Sequence, residues 1–160
     1  MRLSRLIGLT IILLATAATP ALADVTAFIG STMTPANRAA KGVAAGFGLL
    51  IIGFEFEYAA TDENPSELAP ALHTGMGNIL VQTPFPLAGL QFYGTAGGGV
   101  YRETLGGRQE TQVGVNTGGG VKVSLLGPLR ARLDYRVFKL RGEPLHPVVH
   151  RIYAGVNLAF

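Results

Sequence analysis

The chain has neither cysteine nor tryptophan among its 160 residues. The missing thiols exclude a disulfide framework, a zinc ribbon, a redox CxxC pair and a cysteine nucleophile. Charge is scarce as well: Asp, Glu, Lys and Arg make up 14% of the chain, where soluble domains carry roughly 25%. A chain this apolar is either membrane-bound or unusually rich in core. It also lacks what a helical membrane protein requires. Beyond the N-terminal region no uncharged apolar run reaches the about 20 residues of a transmembrane helix, and the longest, Val43 to Phe54, leads directly into Glu55 and Glu57.

The N-terminus accounts for part of the apolar excess. Met1 to Ala23, MRLSRLIGLTIILLATAATPALA, sets Arg2 and Arg5 before an apolar run from Leu6 to about Ala15, then Pro20 and the small-x-small site Ala21-Leu22-Ala23. That is the layout of a secretory signal peptide, residues 1–23, with cleavage expected before Asp24. Its removal takes two of the 13 basic side chains and leaves 11 against 10 acidic ones. No strong basic field remains, and a nucleic-acid partner is not expected.

Residues 24–160 are the length of one domain. If they enter a membrane without a helix they must do so as a closed barrel, because only helices and closed barrels satisfy every backbone N–H and C=O in lipid. The matching pattern is a series of segments of about ten residues with strict alternation. The sequence predicts eight: 25–32, 43–50, 52–60, 71–83, 89–103, 111–125, 129–140 and 148–160. Connections are expected to run long, short, long, short, long, short, long. The long ones are a polar loop at 33–41, TDENPSELAP at 61–70, a glycine-rich loop at 104–110 and a return at 141–147. The short ones fall near Leu50, at Pro84-Phe85-Pro86 and at Leu126-Gly127-Pro128. The expected fold is therefore all-β, an eight-stranded antiparallel up-and-down transmembrane barrel with both chain ends and the short turns on the periplasmic side.

Alternation then assigns faces. Ile152, Ala154, Val156, Leu158 and Phe160 form one apolar row, opposed by Arg151, Tyr153, Gly155 and Asn157. Leu129, Ala131, Leu133, Tyr135 and Val137 oppose Arg130, Arg132, Asp134 and Arg136, and Val113, Val115, Val121, Val123 and Leu125 oppose Gln112, Asn116, Lys122 and Ser124. In GFEFEYA, Ile52, Phe54, Phe56 and Tyr58 are expected to face lipid while Glu55 and Glu57 turn inward. A slip of one residue would put both glutamates in hydrocarbon, at a cost of order 1 kcal/mol or more each. Three consecutive apolar residues, Ile79, Leu80 and Val81, leave the fourth strand's facing open.

An eight-stranded interior is just wide enough for side chains to fill. Buried charge must be paired, so a lumen ionic network is predicted from Glu55, Glu57, Lys122, Arg130, Arg132, Asp134 and Arg136, the third and seventh strands facing each other across the barrel. The alternative is a small channel lined by the same charges.

The signal segment, the eight alternating strands and the terminal strand HRIYAGVNLAF resemble the small outer-membrane β-barrel family that includes outer membrane proteins A and X, their barrel domain only. The resemblance implies outer-membrane localisation, lipid as the surrounding partner, and engagement by the barrel assembly machinery through Tyr153, Val156, Leu158 and Phe160. It also implies a non-enzymatic role, structural, in envelope integrity or in surface interaction, for a monomer. Without tryptophan, the aromatic girdles would fall to Phe47, Phe54, Tyr58, Phe92, Tyr101 and Tyr135. A secreted lipocalin-like barrel holding an apolar ligand is the remaining alternative, with the apolar rows turned inside.

Other sites find little support. TAGGGV at 95–100 and TGGGV at 117–121 do not meet the GxxxxGK[ST] pattern of a phosphate loop. They read better as relief of crowding where a narrow barrel curves, with a hairpin setting the two triplets roughly opposite each other. His73, His146 and His150 share no short motif with Ser31, Ser66 or Ser124. No catalytic residue, metal site or cofactor is expected.

Overall fold

The computed structural model describes residues 22–160. The expected signal segment 1–23 lies outside that range except for Leu22 and Ala23, which open the first strand. Eight strands follow in order: β1 (Leu22–Thr32), β2 (Arg38–Leu49), β3 (Ile52–Thr61), β4 (Ala71–Gln82), β5 (Leu90–Leu105), β6 (Arg108–Leu126), β7 (Leu129–Leu140) and β8 (Val148–Ala159). Each pairs antiparallel with the next. β1 closes on β8 from Asp24 opposite Ala159 to Thr32 opposite Arg151, giving a closed up-and-down barrel. Closure removes the sheet edges that would otherwise leave backbone groups unpaired.

Burial alternates with period two, as the pleat requires. On β3, Phe54, Phe56 and Tyr58 are exposed on the outer wall while Gly53, Glu55, Glu57 and Ala59 are buried inside. β7 and β8 follow the predicted rows as well. On β4, Ile79 and Val81 point out and Leu80 points in, which settles the ambiguous run. Tyr101 departs from its expected place in a girdle: it faces the lumen at 1% exposure, because its neighbours Val100 and Arg102 hold the outward parity.

The alternation of long and short connections is broken at two places. The predicted glycine-rich loop at 104–110 is a tight hairpin at Gly106-Gly107, and β5 and β6 run on to its tip. Gly106 takes φ +59° there, where a side chain would be strained. Conversely, the turn expected at Pro84-Phe85-Pro86 extends over 83–89, since prolines cannot donate to the ladder. The polar loop expected at 33–41 is also shorter, β2 beginning at Arg38, whose guanidinium donates to Thr34 O at 2.6 Å and to Pro70 O. The glycine triplets do not lie opposite each other. Gly99 pairs with Gly114 and Gly119 with Gly94, because the hairpin tip lies closer to the first triplet than to the second.

Candidate functional site

The lumen holds the chain's buried charge. Arg132, Arg136 and Arg151 are the largest fully buried side chains. From β7, Arg132 reaches across to Glu55 on β3 and bridges Asp134 at 3.0 Å. Arg136 contacts Glu55 at 2.7 Å, Glu57 at 3.0 Å and Asp134 at 3.0 Å. Arg151 on β8 meets Glu57 at 3.3 Å. Three guanidiniums thus face three carboxylates, and the layer is neutral as a unit. Arginine suits such a place because its planar fork donates to two or three acceptors at once.

Aromatic rings frame this layer. The Tyr93 hydroxyl donates to Asp134 and accepts from Arg132 Nε at 2.7 Å. The Tyr153 hydroxyl donates to Glu57 and accepts from Arg136, each at 3.3 Å. Phe28 stacks on Tyr153 with ring centroids 4.0 Å apart, and the Arg151 guanidinium lies 4.5 Å over the Phe138 ring. Glycines make room for the rings. A Cβ at Gly120 would meet Tyr93 Oη at 2.5 Å, one at Gly155 would meet Phe28 Cβ at 2.9 Å, and one at Gly30 would meet Tyr153 Cβ at 2.6 Å.

Two further layers flank the ionic one along the barrel axis. Toward the chain ends, Lys122 pairs with Asp24, and Arg130 donates to Gln91 at 3.3 Å around a cavity of about 30 Å³. Toward the opposite end the lumen is apolar, filled by Leu72, Met76, Tyr101, Phe138, Leu140 and Val149. The strictly polar interior expected from alternation is interrupted there by hydrocarbon, although Glu103, opposite Leu72, is also buried at that end.

Of the predicted network, Glu55, Glu57, Arg132, Asp134 and Arg136 come together. Lys122 and Arg130 sit a step nearer the chain ends, beyond ion-pair reach of the three central carboxylates. Arg151 joins instead, and its place in the polar row of the last strand was the available signal. Asp24 precedes the expected first strand, 25–32, and lies within β1, on the inward face beside Lys122. Of the predicted assembly residues, Val156, Leu158 and Phe160 point outward, while Tyr153 is in the lumen at 1% exposure.

The histidines lie near the end away from the chain termini. His73 Nδ1 shares a hydrogen bond of 2.9 Å with Tyr58 Oη, and His150 Nδ1 one of 2.7 Å with Tyr135 Oη. Ser66 Oγ donates to Asn64 Oδ1 at 2.6 Å rather than to a histidine. Among the described residues no three His, Asp or Glu side chains are placed to hold a metal ion.

A closed eight-stranded wall, apolar outside and filled with paired charge inside, is the fold of the small outer-membrane β-barrels. Solved structures bear out that class. Neisserial surface protein A matches with a TM-score of 0.67 at 17% identity, over 88% of this chain and 96% of that one. The N-terminal β-barrel domain of Pseudomonas aeruginosa OprF gives 0.65 at 17% identity, over 87% and 97%. The outer membrane enzyme PagL shares the fold at 0.54 and 10% identity, over 84% and 98%. No protein-family model and no curated protein matches the sequence.

Proposed function

We propose that the chain is a non-enzymatic outer-membrane barrel whose lumen is closed by its own side chains, and which serves a structural, envelope-integrity or surface-interaction role. The observation that carries this reading is the three-to-three pairing of guanidiniums and carboxylates at 0–2% exposure, capped by an apolar layer. A conducting pore needs continuous water, and every charge in this layer is spent on another side chain. The engagement of His73 and His150 by tyrosines, with no serine hydrogen-bonded to either among the described residues, supports a non-enzymatic role. The outward strand rows support placement in lipid, with the chain ends in the periplasm and the loops at 33–37, 62–70 and 141–147 outside. Residues 1–23 would direct export, and the row ending at Phe160 would engage the assembly machinery.

The test is reconstitution in planar bilayers, preceded by cell fractionation. The chain should require detergent for extraction, migrate differently on gels before and after heating, and give no stepwise conductance. Regular conductance steps from the folded protein would favour a small channel, and solubility without detergent would favour a soluble barrel.

A further inference from the structure

The outward strand positions sort by charge sign. Glu55, Glu57, Glu103 and Asp134 are buried inside, Asp24 faces inward at 15% exposure, and Glu110 shares the inward parity through its pairing with Glu103. No carboxylate of a strand faces out. The basic residues of the strands that do face out are Lys41, His73, Arg102, Lys139 and His150, all near the end away from the chain termini. Among the described residues no carboxylate lies within ion-pair distance of Arg102. A cation held on a lipid-facing wall without a protein partner is costly in hydrocarbon and gains from water and anionic headgroups at the interface.

Grooves of the outer wall reach this belt at Lys41 and at His73 and Arg102, and the second gathers more polar groups. His73 is directly opposite Arg102 across β4 and β5, and Arg102 is opposite Thr111 on β6. Together with Tyr58, Thr104 and Gln109 they line an outer-wall groove of about 610 Å³. Tyr58 orients the histidine through its 2.9 Å hydrogen bond. The groove continues toward the middle of the wall as an apolar one of about 550 Å³, sharing Tyr58, Gly75 and Val100 with the first and adding Phe56 and Gly77. Gly75 and Gly77 form its floor. A Cβ at either would meet nothing closer than 3.6 Å, an ordinary contact, so close packing does not demand glycine there.

We propose that this composite groove seats one phosphorylated lipid of the outer leaflet. Arg102 and His73 bind the headgroup phosphate, the Thr104 and Thr111 hydroxyls and the Gln109 amide supply further donors, and an acyl chain lies over Gly75 and Gly77 beside Phe56. The proposal rests on the membrane placement given above.

The experiment is native mass spectrometry of the detergent-purified full chain, titrated with phosphatidic acid, with phosphatidylcholine or with inorganic phosphate. Each sample is first checked for heat-shifted gel migration. The wild type should retain one phosphatidic acid in preference to phosphatidylcholine. Arg102→Gln should weaken that retention about tenfold, the worth of one charge-assisted hydrogen bond. Gly77→Val should weaken it by filling the apolar part of the groove, and Lys139→Gln, which lines neither part, should leave it unchanged. Arg102→Gln or Gly77→Val binding like wild type while still shifting on heating would overturn the lipid seat and leave the barrel reading intact. Displacement of the lipid by inorganic phosphate would also overturn it, pointing to a free anion site. A chain that needs no detergent would overturn both.

Discussion

Replacing Arg132 with methionine would leave Glu55 and Asp134 to Arg136 in a dry interior that then holds one more carboxylate than guanidinium. Losing one member of a buried ion pair typically costs about 3–5 kcal/mol, and denaturant unfolding in lipid vesicles should show a loss of that size. Lys122→Met should cost less, about 1–2 kcal/mol, because its partner Asp24 is 15% exposed and keeps some water. Equal losses from the two would mean that depth along the lumen does not govern the energetics. The glycines offer a second comparison. Gly120→Ala forces a Cβ against Tyr93 and the Leu133 carbonyl, and overpacking of this kind costs about 1–3 kcal/mol. Gly107→Ala meets nothing within 4 Å and should stay within about 0.5 kcal/mol of wild type.

At the level of strands and turns, the β5–β6 hairpin and the β6–β7 turn should report opposite sides of the membrane. An epitope inserted between Gly106 and Gly107 is expected to be read by antibody on intact cells, and one between Gly127 and Pro128 only after permeabilisation. The reverse pattern would invert the orientation. Much of this organisation was legible in the residues, because facing follows from alternation and a one-residue slip would expose Glu55 and Glu57 to lipid. Turn lengths were not. At Leu50-Ile51 the chain reverses with Leu50 at φ +52°, a conformation that leucine does not advertise. At 104–110 the polar, glycine-rich composition of a loop belongs to two paired strand ends instead. The candidate site was legible in part. Parity marked Arg132, Asp134 and Arg136 as inward, but only the barrel's shear decides that Arg151 reaches Glu57 and that Arg130 reaches no carboxylate of the layer.

For the molecule as a whole, apolar rows face out and paired charge faces in, the opposite of a soluble ligand-binding barrel. The absence of cysteine makes this directly measurable, since a single introduced thiol labels one position only. Spin labels on Ile152→Cys, Val156→Cys and Leu158→Cys, three outward residues of β8 at 40–56% exposure, can be read in reconstituted vesicles. The measurement is collision with oxygen, which concentrates in lipid, against collision with a water-soluble nickel chelate. The account predicts high oxygen and low nickel accessibility at all three, with Asn157→Cys between them immobile and shielded from both. Nickel accessibility at Val156 and Leu158 equal to that of a label in the 62–70 loop would contradict it, because the apolar rows would then face water.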